Sequence, residues 1–250
     1  MTTTTIRVFG GPTALIELGG LRLLTDPTFD APGEYPIGPD RALTKTAPTA
    51  VTPAELGRID AVLLSHDEHP DNLDTAGRAY LAEVPLVLTT PGGAGRLGGA
   101  ARGLAPWESV TLPRPDGGSL TVTGTPAQHG PEGCEPVTGE VVGFVLTATD
   151  LPTVYVSGDN ASLAVVREVA ERFGPVDTAV LFAGAARTVL LDGALLTLDS
   201  AQAAEAAAVL GARQVVPAHF DSWGHFTEGR EQLTAAFAAA GLADRLRFAS

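Results

Sequence analysis

Five histidines and a handful of aspartates are the residues of this 250-residue chain whose types and spacing could do chemistry. The densest run is LLSHDEHPDNLD, Leu63 to Asp74, which carries His66, His69 and five acidic or amide neighbours behind an apolar stretch. The same pattern recurs downstream. His129 closes LTVTGTPAQH, Asp159 closes TVYVSGD and His219 closes QVVPAH. A single histidine after a strand is ordinarily a hydrogen-bonded surface residue. Ligand types at four strand ends point instead to one shared site, at the edge where open α/β sheets place theirs. Imidazole and carboxylate together suit zinc, manganese or iron.

Those residues need strands to carry them. TIRVF, ALIEL and LRLLT read as strands over Thr5–Phe9, Ala14–Leu18 and Leu21–Thr25, with Gly19-Gly20 as a hairpin turn. Phe29 to Ala50, rich in Pro, Gly and Thr, reads as a loop. Thr52 caps a short helix that has Pro53 at its first position. Ile59–Ser65 is a near-continuous apolar run, as expected of a buried strand, and a helix follows over about 73–82. Strands are expected at Pro85–Thr90, in SVTL and SLTVTGTPA, and in a hairpin from EVVGFVLTAT to PTVYVSGD. Further on come a helix over Leu163–Gly174, the strand DTAVLFAG, a helix over Leu198–Ala212 capped by Asp199, and the strand RQVVPAH. A helix in TEGREQLTAAFAAAG and a last strand LRFAS end the chain. Asn72 and Asp74 suit the cap and first turn of the helix after the His66 motif. No composition break divides the chain, so one domain over 1–250, two sheets face to face with helices outside, is the simplest architecture.

Composition narrows the partners. Apolar residues make up 44% of the chain, enough for a sizeable core. Acidic residues outnumber basic ones 29 to 16, for a net charge of -13. Such a surface repels nucleic acid and anionic membranes. The one cysteine, Cys134, excludes an internal disulfide and a cysteine-based zinc site, and has no evident base to make it a nucleophile. The N-terminus lacks a basic segment followed by an apolar run, and no segment reads as a membrane span, so the expected location is the cytoplasm. TTPGGAGRLGG lacks the Gly-Lys-Ser/Thr of a phosphate loop and reads as a glycine-rich connection. No Gly-x-Ser-x-Gly elbow surrounds Ser65 or Ser157.

In these motifs and their order the chain resembles the metallo-β-lactamase-fold hydrolases, nearest to the branch of sugar-lactone and N-acyl-phosphatidylethanolamine hydrolases. GGPTALIELGGLRLLTDPTF is similar to the first hairpin and Thr-Asp-Pro turn of that branch. LLSHDEHPDNLD stands where the family has His-x-His-x-Asp-His, and TPAQH, YVSGDN and VVPAHFDSW match its third histidine, its bridging aspartate and its last ligand histidine. The resemblance implies a four-layer αββα sandwich with one or two divalent cations, zinc first and manganese or iron next, at one edge of the sheets. It also implies a water-using hydrolase acting on an ester, lactone, amide, thioester or phosphodiester, with Asp71 holding or deprotonating the water and Asp26 orienting a ligand histidine.

The first motif departs from the family by one inserted residue. His69 and Asp71 keep family roles, and His66 or Asp67 completes the set; His66 is preferred because imidazole suits a borderline-soft cation. Asn72 stands in place of a histidine. The expected ligands are therefore His66, His69, Asp71, His129, Asp159 and His219. His225, six residues after His219, is the candidate to supply the missing imidazole or touch substrate, with an exposed loop histidine as the plain alternative. Asp221 and Trp223 are candidates to line the pocket, flanked by Phe29–Ala50 and Gly130–Gly139. Two rival functions stand beside hydrolysis of a small molecule: a redox iron enzyme on the same fold, and a metal-poor chain kept as a binding or scaffold protein. A homo-oligomer is open.

Overall fold

The structure, a computed structural model, describes residues 4–249. From the N-terminal end, β1 (Thr5–Val8), β2 (Ala14–Leu18) and β3 (Leu21–Thr25) form a meander, with Gly19 and Gly20 at positive φ in its second turn. The segment read as a loop contains a second hairpin, β4 (Gly33–Gly38) and β5 (Arg41–Lys45). Then come α1 (Pro53–Leu56), β6 (Ala61–Leu63), α2 (Thr75–Tyr80), β7 (Val87–Thr89), α3 (Pro91–Leu97) and β8 (Ala101–Gly103). The glycine-rich connection is thus helical at its start. Thr90 caps α3 by accepting from the Gly93 N–H, and Pro91 takes the first helical position.

The second half opens on β9 (Ser109–Pro113), β10 (Ser119–Pro126) and the short α4 (Glu135–Thr138). It continues through β11 (Val142–Ala148), β12 (Leu151–Val156), α5 (Leu163–Phe173) and β13 (Thr178–Phe182). A two-residue pair, β14 (Arg187–Thr188) and β15 (Ala194–Leu195), precedes α6 (Ser200–Val209), β16 (Gln214–Ala218) and α7 (Arg230–Ala239). The last expected strand does not form: only Leu246 bridges Val215, and Ser250 lies outside the described residues.

Two six-stranded sheets result, ordered β1-β2-β3-β6-β7-β8 and β16-β13-β12-β11-β10-β9. Alternation explains their packing. Ala61 and Leu63 of β6, Val154 and Val156 of β12, and Val180 and Phe182 of β13 point between the sheets into one core. Their neighbours point outward. Val62 and Leu64 meet Leu73 and Tyr80 around α2, while Tyr155, Ala179 and Leu181 meet the faces of α5, α6 and α7. Apolar side chains on both faces are why these strands read as unbroken apolar runs. The layers are helix, sheet, sheet, helix, the expected αββα sandwich. In the sheets β3, β6, β7 and β8 run parallel, as do β12, β13 and β16, and β10 shares the direction of β12 through the antiparallel β11. The C-terminal ends of β10, β12 and β16 therefore share one edge of the second sheet. No helix among the described residues is long and apolar enough to cross a membrane.

Two contacts lock the segment that follows β6. Lys45, the only lysine, is fully buried and ion-paired at 3.2 Å with Asp74, and it donates to the Thr28 carbonyl at 3.0 Å. Asp74 also caps α2 through the Gly77 N–H at 2.8 Å and accepts from the Asp30 N–H at 2.7 Å. Gly77 packs against Pro27 so closely that a Cβ there would stand 1.9 Å from the Pro27 carbonyl oxygen. Gly→Ala inside a helix ordinarily stabilises by about 1 kcal/mol. Gly77→Ala is expected to do the reverse, costing about 1–3 kcal/mol by overpacking, measurable as a lower urea midpoint. Lys45→Met strands the Asp74 carboxylate and is expected to cost about 3–5 kcal/mol. A loss below about 1 kcal/mol, the range of exposed pairs, would deny the pair its role.

Candidate metal centre

The β6 strand ends at Leu63, and two residues on the chain delivers His66 to the sheet edge. The Asp26 carboxylate fixes this exit by accepting from the Ser65 N–H at 2.7 Å. Asp26 is thus not the acceptor for a ligand histidine that the resemblance implied; it binds backbone, and burial pushes its carboxyl well above the usual carboxylate range against that hydrogen bond. The His66 Nδ1 meets the Ser65 hydroxyl at 3.0 Å, which leaves Nε2 facing inward, 2.8 Å from the His69 Nδ1. His129, carried three residues past β10, donates from Nδ1 to the Leu196 carbonyl, 2.8 Å away. A carbonyl only accepts, so Nδ1 carries the proton and the Nε2 lone pair is left free, 3.3 Å from the His69 Nδ1. Leu196 acts through its backbone, so no sequence pattern could have revealed it.

These three imidazoles offer nitrogens that all lie within 4.8 Å of one another. Ligand atoms around a tetrahedral zinc, at bonds of about 2.0–2.1 Å, stand roughly 3.3 Å apart. Lone pairs aimed at one another have one good common partner, a cation. Burial, reinforced by the neighbouring histidine, drives the pKa of His66 well down and lowers that of His69, so both rings favour the neutral ligand form.

A second set adjoins the first. Asp159 follows Gly158, whose φ of 58° and close approach to the Val142 carbonyl require glycine. Its carboxylate stands 3.5 Å from the His129 Nε2 and 3.4 Å from the His219 Nε2. His219 itself adopts φ 54°, a conformation that non-glycine residues seldom take. Asp71 lies 3.4 Å from His219 and 3.1 Å from the His225 Nε2. The Asp71 Oδ1 and both ring nitrogens of His219 are buried without a hydrogen-bond partner, the 3.4 Å approaches lacking alignment. Orphaned buried acceptors and imidazole nitrogens around one point are what a second cation would satisfy. Burial opposes charge on all of these groups. Their mutual attraction outweighs it, holding Asp71 and Asp159 well below the carboxylate range and pushing His219 up to about 10.

All six expected ligands and His225 thus converge. The Asp67 carboxylate is turned away from the group and held by Arg96 at 2.6 Å, with Arg78 at 3.6 Å. Asn72 turns its amide to Asp159 at 3.3 Å and leaves its own oxygen unpartnered, while Asp74 does the capping. Asp221 binds the Gly11 N–H, and Trp223 is buried beside Tyr35 and Lys45, so neither lines the cavity. Cys134 is buried at the start of α4.

His69, Asp71, His129, Asp159 and His225 line a cavity of about 380 Å³, with His66 and His219 buried beneath it. Ile37, Arg41 and Leu43 of the β4–β5 hairpin line one wall, and α4 and the β14–β15 pair supply the others. Both segments expected to flank the pocket do so.

Comparison with known proteins agrees with this geometry. The family described as the Beta-lactamase superfamily domain matches residues 21–220. A relative from Methanosphaerula palustris, named a metal-dependent hydrolase, is 32% identical over 171 residues, 66% of this chain and 69% of its own length. In fold, the chain is similar to a possible metal-dependent hydrolase from Veillonella parvula, with a TM-score of 0.84, 15% identity and coverage of 100% and 97%. It is also similar to an isothiocyanate hydrolase from Delia radicum gut bacteria, with a TM-score of 0.79, 22% identity and coverage of 97% and 95%. A histidine and carboxylate floor at the shared edge of an αββα sandwich and a family match over most of the chain lead to one conclusion: the chain belongs to the beta-lactamase superfamily, as a metal-dependent hydrolase of the metallo-β-lactamase fold.

Proposed function

We propose that this protein hydrolyses a small-molecule ester, lactone, amide, thioester or phosphodiester with divalent cations held at the cavity floor. The observation that carries the proposal is the meeting of His66, His69 and His129 with Asp71, Asp159 and His219 beneath an open cavity. His66, His69 and His129 would hold one ion, for which zinc is the natural occupant. Asp71, Asp159 and His219 would hold another, and this carboxylate-rich set also admits manganese or iron. His225 would complete it in place of the histidine that Asn72 displaces. A bound divalent cation supplies Lewis acidity, lowering the pKa of water from 15.7 to about 7 and polarising the oxygen that gains charge.

The chain's own groups do the rest. Asp71 has Oδ2 against His225 and Oδ1 unpartnered, so one oxygen is free to orient the attacking water and take its proton. The same carboxylate returns that proton to the leaving group, and His225, partly exposed on the cavity wall with Nε2 against Asp71, meets the substrate. No nucleophilic side chain is needed. The isothiocyanate of one structural neighbour has an electrophilic carbon open to the same attack, which places that class in the assay panel. The sugar-lactone and N-acyl-phosphatidylethanolamine branch stays part of the proposal on its sequence motifs alone. So do a cytoplasmic location, supported by a lone buried cysteine, and a small-molecule rather than nucleic-acid partner, supported by the charge of -13. A homo-oligomer is compatible with it. The convergence of every ligand favours hydrolysis over a metal-poor scaffold.

Protein purified without chelator is expected to carry a transition metal by elemental analysis. Chelation should abolish hydrolysis, and zinc or manganese should restore it. His129→Ala should empty the imidazole pocket; retention of full metal content would sink that assignment. His225→Ala should lower the metal-to-protein ratio while sparing the imidazole pocket, and cut kcat by about 10²–10⁴. Unchanged stoichiometry and rate would return His225 to an ordinary loop residue.

A further inference from the structure

Beyond the reacting centre, the same cavity carries information on what the substrate's other end looks like. Large apolar side chains exposed at the surface are few among the described residues: Val137 at 45%, Val189 at 83% and Leu190 at 51%. They are not scattered. Val137 and Leu190 line the cavity, and Val189 is the residue before Leu190 in the chain. Two unrelated segments, α4 and the turn between β14 and β15, therefore place their exposed hydrophobes at one opening. Solitary surface hydrophobes need no explanation, but a cluster at a cavity mouth marks a contact for an apolar ligand.

The facing wall continues the pattern, with Ile37 and Leu43 from the β4–β5 hairpin and Leu196 deeper in. Charged residues also line the wall: Arg41, Arg187, Glu68 and Glu135. Arg187 spends one guanidinium N–H on the Gly193 carbonyl at 2.8 Å, and Glu68 is drawn to Arg96 at 3.0 Å. The cavity is thus polar at its base and apolar towards its mouth.

We propose that the substrate bears an apolar arm, alkyl or aryl, which leaves the scissile group at the floor and lies along Val137, Leu190, Ile37 and Leu43. This rests on the hydrolase reading for the direction of the arm, while the apolar contact can be tested without turnover. The occupant is the substrate because the patch is continuous with the floor of the site.

The test uses metal-loaded protein and two probes. Straight-chain carboxylates from butanoate to octanoate are titrated by calorimetry. Each added methylene is expected to tighten Kd roughly threefold, close to full burial of that group. p-Nitrophenyl esters of the same acids should show KM falling in parallel. Val137→Ser/Leu190→Ser removes exposed side chains, should keep the parent Tm and should flatten the dependence on chain length. Flat or weakening affinity with length in the parent protein would overturn the proposal, as would a concentration-dependent dimer abolished by Val189→Ser, which assigns the patch to a second copy. Length-dependent binding with no ester, amide or phosphodiester hydrolysed would leave the apolar arm standing and sink the hydrolytic reading instead.

Discussion

Two carboxylates, Asp71 and Asp159, sit almost entirely out of water with His219 between them. Burying even one unpaired carboxylate costs several kcal/mol, so the fold must supply positive charge at this point or lose stability. The arrangement of the sheets meets that demand. Strands β6, β10, β12 and β16 each end within a few residues of the site, and two layers contribute. The Asp26 grip on Ser65, the Asp71 contacts with His219 and His225 and the Leu196 carbonyl on His129 fix the exits after β6, β10 and β16.

The two halves of the floor differ in character. His66, His69 and His129 form a nitrogen-rich cup, in which burial and the neighbouring rings hold His66 and His69 towards the neutral form. Asp71, Asp159 and His219 form an anionic one, in which His219 is drawn towards its protonated form by the acids beside it. In His-x-x-His-x-Asp-Asn, the amide of Asn72 goes to Asp159. His225, on the loop after β16, reaches Asp71 at 3.1 Å. Residues some 150 positions apart meet here because both loops share one sheet edge.

The periphery is coupled to the floor by a buried knot. Thr44 and Thr46 exchange backbone hydrogen bonds with Gly224 and Ser222. Between them Lys45 lies over the Trp223 ring and reaches Asp74. The hairpin that walls the cavity, the loop bearing His225 and the segment after His69 are therefore one mechanical unit. The wall that meets substrate is set by the contacts that set the ligands.

Much of this was legible in the residues. Near-continuous apolar runs marked β6, β12, β13 and β16, because both faces of those strands are covered, and polar ligand types at their ends marked the edge. Thr52-Pro53 and Asp199 marked helix starts, because capping is a local interaction. The misses have equally local causes. β4 and β5 make an exposed hairpin without a buried face, so their Pro and Gly content outweighed the weak alternation of Tyr35, Ile37 and Leu43. α3 has the same Thr-Pro start as α1, but its three glycines obscured it. The sequence by itself determined the layer architecture and the ligand types, since periodicity and side-chain chemistry are properties of the chain. Only tertiary structure decided that His66 and not Asp67 faces the floor, that Asp26 binds backbone, and that His225 reaches Asp71. Each of these depends on which distant groups compete for the same side chain: Arg96 for Asp67, the Ser65 N–H for Asp26, and Asn72 turned towards Asp159. Spacing along a chain does not encode that competition.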